Sequence, residues 1–203
     1  MPTCLESQAM ENSATLLALA GFAFVTSITP GPNNLMLLAS GTNFGWRRSL
    51  PHLLGISFGF GVMLALVGLG LGEVFARYPG LHDGLKWASL AYLLYLAVKV
   101  ATAAPPSASD AGGRPMGFGA AALFQVVNPK AWAMALTAVT AYGDLGIAAM
   151  TAVFVLVNLS CCGSWALLGE QMRRWLHRPR ALQAFNWGAA ALMVASVLPL
   201  LRT

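Results

Sequence analysis

Six runs of apolar residues, at about 14–42, 50–72, 85–104, 117–142, 146–169 and 182–201, occupy most of this chain of 203 residues. Each is long enough to supply the roughly 20 residues with which an α-helix crosses the ~30 Å hydrocarbon core of a bilayer. In that solvent every backbone N–H and C=O has to be satisfied within the protein, so helices are the expected elements and lipid the expected surroundings. Only 9% of the residues are charged and 57% are hydrophobic, whereas an ordinary soluble domain is about 25% charged. A soluble fold could not cover itself with so few polar groups, and the short connections leave no place for an aqueous domain. The formal net charge of +5 therefore reads as membrane topology and not as a nucleic-acid-binding surface.

The separators at 43–48, 77–84, 105–115, 143–144 and 170–180 are polar or carry turn residues. The longest, with Pro105, Pro106, Gly112 and Gly113, divides the chain into an N-terminal tail (1–13), a three-helix unit (14–104), a cytoplasmic linker (105–116) and a second three-helix unit (117–203). The first, third and fifth connections carry Arg47, Arg48, Lys99, Arg114, Arg173, Arg174, Arg178 and Arg180, while the opposite side carries only Arg77, Lys86 and Arg202. Basic residues gather on the cytoplasmic side, so both termini are expected outside. With three spans each, the second half must enter the membrane upside down relative to the first. The expected fold class is an all-α membrane protein with six transmembrane helices in two inverted three-helix repeats. In transporters of that kind the substrate site lies near the midplane, where the repeats meet. The tail carries Glu6 and Glu11 and no basic residue, unlike a signal peptide, so the first run is expected to stay as a membrane helix. Met1 and Met10 both remain open as the start.

Two of the runs are interrupted near their middles. The first contains Thr29, Pro30, Gly31, Pro32, Asn33 and Asn34, and the fourth contains Asn128, Pro129 and Lys130. Each proline lacks an N–H and clashes with the carbonyl four residues back, which frees the carbonyls of Thr26, Ile28 and Gln125. Lys130 puts an ammonium about halfway through its span, where insertion costs roughly 2.5–3.5 kcal/mol. Irregular backbone at that depth is tolerated only against protein or a water-filled cavity. Proline interruptions at corresponding depth in two halves point to a binding site. Beyond each break a new half-helix begins, with unpaired N–H groups around Gly31, Asn33 and Asn34 and a positive dipole end suited to a carboxylate, and Lys130 adds a full charge. The freed carbonyls, with the amide oxygens of Asn33, Asn34 and Asn128, suit an ammonium or a monovalent cation. The candidate substrate-binding residues are therefore Pro30, Gly31, Pro32, Asn33, Asn34, Gln125, Asn128, Pro129 and Lys130, and the matching solute is a zwitterionic amino acid.

Thr-Pro-Gly-Pro-Asn-Asn at 29–34 and Asn-Pro-Lys at 128–130 resemble the two signatures of the LysE/RhtB (lysine exporter/homoserine-threonine resistance) family of amino-acid efflux transporters. Between them, Gly55 and Gly59 resemble that family's glycine-rich second helix, and Lys86 with Tyr92, Leu93, Tyr95 and Leu96 resembles its third. Gly117 precedes Asn-Pro-Lys at the usual distance. The similarity covers 14–135 well and the last third weakly. It implies a bacterial inner-membrane exporter of amino acids or close derivatives driven by the proton gradient. Ser49, Ser89 and Ala97 stand where the family tends to have glycine, and Thr137 to Tyr142 replace a Pro-Gln-Phe stretch. These departures bear on substrate identity more than on fold.

The remaining features read as structural. Gly55 and Gly59 make a G-x-x-x-G groove expected to pack against the first broken helix, in preference to a homodimer contact, although a homodimer remains open. Asn158 and Ser160 read as interhelical glue, and His52, His82 and His177 as interfacial residues with no pair at metal-ligand spacing. Trp46, Trp87, Trp175 and Trp187 fit an aromatic belt. Trp132 sits two residues after Lys130 and is expected to face away from it. Glu73, Asp83, Asp144 and Glu170 all fall at span ends. Proton coupling would then run through Lys130 itself, or a cation would bind the freed carbonyls.

Two alternatives use the same scaffold. A transmembrane thiol-redox carrier needs a cysteine in each half, but Cys161 and Cys162 share the fifth span and read as packing residues, with Cys4 in the tail. A cation or metal exporter would use freed carbonyls, yet a divalent metal calls for buried carboxylates that these spans lack. No span sets a general base beside a nucleophile, so no enzyme and no cofactor are expected.

Overall fold

A computed structural model of the chain describes residues 4–103, 114–173, 175–176 and 178–196. Among the described residues the secondary structure is entirely helical. Helix α1 (Cys4–Ile28) is followed by α2 (Pro32–Phe44) and by α3 (Trp46–Leu66), which runs through a π-helical turn (Val67–Leu71) into α4 (Gly72–Arg77). Then come α5 (Pro79–Ala101), α6 (Phe118–Val127), α7 (Pro129–Tyr142), a 3-10 turn (Gly143–Leu145), α8 (Ile147–Arg173) and α9 (Pro179–Ala195). Pro32, Pro79, Pro129 and Pro179 each stand in the first turn of their helix, where the missing N–H is one that no helix would use. Gly45 links α2 to α3 and Gly146 leads into α8, with φ of 85° and 80°. Those turns use the left-handed region that glycine enters without steric cost.

Three helical stretches are long and apolar enough to cross a membrane, Met10–Ile28, Trp46–Val74 and Ile147–Arg173, and Trp87–Ala101 and Phe118–Val127 are shorter apolar helices. Much of the expected 105–116 linker, the end of the sixth apolar run, Arg174, His177 and Arg202 lie outside the described residues. The outer surface is apolar: Leu17, Val62, Leu69, Leu123, Leu156 and Leu192 are all exposed, which suits contact with lipid rather than water.

Inside, α1, α3, α7 and α8 build the main core around Leu19, Phe60, Leu64, Ala135 and Phe154. The Phe60 and Phe154 rings lie 5.2 Å apart. Small residues bring helices closer still. A Cβ at Gly55 would strike the Phe118 carbonyl and Ala121, and one at Gly59 would strike Ala122. The groove expected to hold the first broken helix thus receives α6, whose alanines are small enough to enter it. Helices α2 and α8 meet in the same way, with Gly41 against the Ala166 backbone and Gly169 against Leu38 and Thr42. The Thr42 hydroxyl donates to the Gly169 carbonyl at 3.0 Å. Asn43 of α2 and Asn186 of α9 exchange amide hydrogen bonds at 3.1 and 3.4 Å. These contacts fix α2, and with it the N-terminal end that faces the candidate site.

His52 departs from expectation. It is 2% exposed, and neither ring nitrogen has a hydrogen-bond partner among the described residues. It stands three residues after Ser49 and four before Ile56, on the buried face of α3.

Candidate functional site

Helix α1 stops at Ile28 and α2 starts at Pro32, with Gly31 extended at its N-cap (φ −171°, ψ 176°). Pro30 and Pro32 cannot donate backbone hydrogen bonds, so the last carbonyls of α1 need other partners. Side chains supply them. Thr26 O accepts from the Thr29 hydroxyl at 3.0 Å, Ser27 O from Asn34 Nδ2 at 2.7 Å, and Ile28 O from Trp165 Nε1 at 3.1 Å. Thr29 O accepts twice, from Asn34 Nδ2 and from Lys130 Nζ, each at 2.8 Å.

The second gap is narrower. Helix α6 ends at Val127 and α7 begins at Pro129, leaving Asn128 alone between them. The Asn128 N–H donates to Gln125 O at 3.2 Å, and its side-chain oxygen caps α7 by accepting from the Lys130 N–H at 3.2 Å. That cap draws the Lys130 N–H away from Val126 O, which accepts instead from Trp132 Nε1 at 2.7 Å. The Trp132 indole thus serves the backbone on the far side of Lys130.

The two gaps are joined directly. Lys130 Nζ donates to Thr29 Oγ1 at 2.9 Å as well as to Thr29 O. Asn33 Nδ2 donates to Gln125 Oε1 at 2.9 Å, and Gln125 Nε2 returns the bond to Asn33 Oδ1 at 3.2 Å. Gly31 lies beneath the lysine, where a Cβ would stand 3.0 Å from Lys130 Cδ and 3.1 Å from Nζ. The Lys130 ammonium therefore rests at the C-terminal end of α1, where the helix dipole favours a cation. At the start of α2 the Asn33 and Asn34 N–H groups lie in the first turn, where a helix provides no acceptor of its own.

The structure brings Gly31, Asn33, Asn34, Asn128 and Lys130 to one small cavity. Gln125 stands behind it, paired with Asn33; Pro30 is in the middle of the first gap, and Pro32 and Pro129 begin the helices beyond the two gaps. The cavity has room for about one or two waters and not for an amino acid. The expectation that the carbonyls of Thr26, Ile28 and Gln125 stand free needs correction. Each has a protein donor, and the carbonyl that receives the ammonium is Thr29 O.

Several lining residues were not singled out from sequence as ligands. Asn158 and Cys162 of α8 line the cavity with Ser27, Phe60 and Met134. The Cys162 thiol donates to Asn158 Oδ1 at 2.9 Å and to Asn34 Oδ1 at 3.2 Å, and the Ser57 hydroxyl reaches Asn158 Oδ1 at 3.4 Å. Asn158 thus joins helices, as expected, and also faces the cavity. The available signal was the spacing: two polar groups four residues apart share one face of an otherwise apolar helix. Ser160 turns back to Leu156 O at 3.1 Å and lies outside this group. Cys161 and Cys162 are both buried and free. Among the described residues no group of three or more His, Cys, Asp or Glu could hold a metal ion.

A family model described as LysE type translocator matches residues 9–202, so the resemblance extends well past the 14–135 stretch in which the motifs lie. The chain is 34% identical over 166 residues to the cysteine/O-acetylserine efflux protein of Escherichia coli (strain K12), spanning 78% of this chain and 84% of that protein. It is 31% identical over 169 residues to the protein of the same name from Salmonella typhimurium (strain LT2), with the same coverage of 78% and 84%. No solved structure matches the chain. With a family match over nearly its whole length and relatives above 30% identity, the chain belongs to the LysE type translocator family, as a multi-pass membrane transporter and not an enzyme.

Proposed function

We propose that this protein exports a small zwitterionic amino acid across the bacterial inner membrane, with the gaps at 29–31 and 128 as the two sides of its binding site. One observation carries the reading: the Lys130 ammonium of one gap is held 2.8 Å from the Thr29 carbonyl of the other. The pair is a zwitterion site in its closed form: the ammonium position is filled by the protein's own lysine, and the cavity opens to an amino acid only when that lysine moves away. A substrate ammonium replaces Lys130 at Thr29 O and Oγ1. The released lysine, with the first-turn N–H groups of Asn33 and Asn34, takes the substrate carboxylate. Gly31 gives the lysine room to swing, and the amides of Asn33, Asn34, Gln125 and Asn128 fix the walls. Pro30, Pro32 and Pro129 keep the gaps from closing into continuous helix. The relatives' names support the solute class, since cysteine and O-acetylserine are small amino acids with short polar side chains.

In this reading α1 with α2, and α6 with α7, are two broken spans, opening inverted repeats over 14–104 and 117–203 joined by a cytoplasmic linker at 105–116. Local geometry supports the correspondence. Each half has a gap with proline in the first turn beyond it, then a glycine of positive φ (Gly45, Gly146), then a long apolar helix (α3, α8). Helix α3 packs on α6 as α8 packs on α1. The bias of basic residues supports both termini outside, with alternating access by one repeat rocking against the other around the site.

The test is export from cells preloaded with an amino-acid panel, followed as intracellular retention, for the wild type and Lys130→Ala at equal membrane abundance. One or a few amino acids leave faster with the wild type, and the effect vanishes in the variant. Retention of every amino acid by both, with metal ions or thiols moving instead, would overturn the reading in favour of a cation exporter or a thiol carrier. Coupling to the proton gradient through Lys130 predicts that Lys130→Arg, which cannot lose its proton, no longer responds to an imposed pH gradient.

A further inference from the structure

Helical hydroxyl groups in this protein usually turn back to a carbonyl of their own helix. Thr26 donates to Phe22 O at 2.7 Å, Thr140 to Leu136 O at 2.9 Å, and Ser160 to Leu156 O at 3.1 Å. Ser27 does not. It is 4% exposed and lines the central cavity, yet its hydroxyl has no hydrogen-bond partner among the described residues. Across the same cavity stands Asn158, also 4% exposed. Its amide oxygen accepts from the Cys162 thiol at 2.9 Å and from the Ser57 hydroxyl at 3.4 Å. These donors hold the amide oxygen and orient the group, which leaves its nitrogen as the end available to a ligand in the cavity. A buried polar group left unpaired is costly wherever it occurs. The unpaired Ser27 hydroxyl and the Asn158 amide, lining one cavity, together offer hydrogen bonds to a ligand.

We infer that Ser27 and Asn158 form a second subsite, which receives the side chain of the transported amino acid and selects a short one carrying a hydrogen-bond acceptor. The inference rests on the zwitterion reading, because it needs the amino and carboxylate groups held at Thr29, Lys130 and the start of α2. With those ends fixed, the substrate's side chain points toward α8. Asn158 Nδ2 can only donate, and the Ser27 hydroxyl can donate or accept, so an oxygen placed one or two bonds beyond Cβ satisfies both. Phe60 and Met134 close the remaining wall with apolar surface, which sets a limit on length. An isostere lacking the acceptor would leave both protein groups unpaired, and sites built on such groups discriminate strongly against the missing partner.

The experiment measures initial transport rates of serine and of 2-aminobutyrate, its near-isostere without the hydroxyl, in membrane vesicles containing the full chain at equal abundance. The wild type is expected to favour serine by about tenfold or more. Ser27→Ala and Asn158→Leu, which is close in volume, are each expected to bring that ratio toward one. Ser27→Thr, which keeps a hydroxyl, restores it. The ratio is independent of how much protein is active, and melting in detergent shows that each variant is folded. If the wild type transports amino acids but its preference is absent, or survives in both Ser27→Ala and Asn158→Leu, the side-chain subsite is overturned and the zwitterion reading stands. If the wild type transports neither these nor any other amino acid, both fall together.

Discussion

The gap at 29–31 and the gap at 128 are both made by prolines in apolar helices, and they present opposite chemistry. At the first, three residues leave the helix, and the end of α1 needs side-chain donors: Thr29, Asn34, Trp165 and Lys130 all supply hydrogen bonds to it. At the second, one residue leaves the helix, and Asn128 repairs most of the damage by using its own N–H and side-chain oxygen locally. The first gap is rich in acceptors, and the second delivers a single cation. Two prolines separated by one residue disrupt two alternate backbone bonds, to Thr26 O and Ile28 O, whereas one proline preceded by a capping asparagine is a ready helix start. Only the wide gap has a carbonyl turned toward its counterpart, so the electrostatic contrast follows from the count of prolines and the residue before each.

The contrast can be broken most severely at Lys130. Replacing it with alanine removes the only charge of the second gap and leaves Thr29 O with one donor. Charge-assisted hydrogen bonds contribute about 1.5–3 kcal/mol, so export in the retention assay is expected to fall by at least about tenfold. The next effect belongs to the place where the lysine crosses the other gap. Gly31→Ala puts a methyl 3.0 Å from Lys130 Cδ. Because the backbone there is extended and the lysine end is flexible, the fold should stand and detergent melting should hardly change. Export should still drop by several-fold, since the displaced ammonium loses its geometry at Thr29, an effect of about 1 kcal/mol.

Asn128→Ala sharpens the comparison from the other side. Loss of the cap on α7 should cost about 1 kcal/mol of stability, seen as a lower melting temperature, and should loosen Lys130 with it. The equivalent change at Gly31 removes no cap, because Gly31 makes no side-chain cap on α2. The smallest effect should come from the Asn33–Gln125 pair that ties the two gaps. A double-mutant cycle on Asn33→Ala and Gln125→Ala is expected to give a coupling of about 0.6 kcal/mol, the average for interhelical polar contacts in membranes. A coupling near zero would mean that the two gaps are held together by the lysine alone.

Much of this was legible in the residues. Pro30, Gly31, Pro32 and Pro129 mark where helix cannot continue, and α1, α2, α6 and α7 end or begin within one or two residues of them. Lys130 stands out in the same way, because a cation in an apolar run needs a reason to be there, and the structure leaves it half-buried between the two gaps. The sequence by itself thus determined the helical class, the location of both gaps and the identity of the charged group, since all three depend on local covalent chemistry: a missing N–H, a run of apolar side chains, a fixed charge.

What only the tertiary structure decided was who faces whom. The carbonyls freed by the prolines were taken over by Thr29, Trp165 and Asn128, and the one that met the lysine was Thr29 O. The glycine groove of α3 received α6 instead of the first helix. His52 went inside, and Asn158, Cys162 and Ser27 came to the cavity. None of these is fixed by sequence spacing, because a polar group on an apolar helix can turn to any neighbouring helix. Which neighbour it meets depends on how closely small residues such as Gly41, Gly55, Gly59 and Gly169 let the backbones approach.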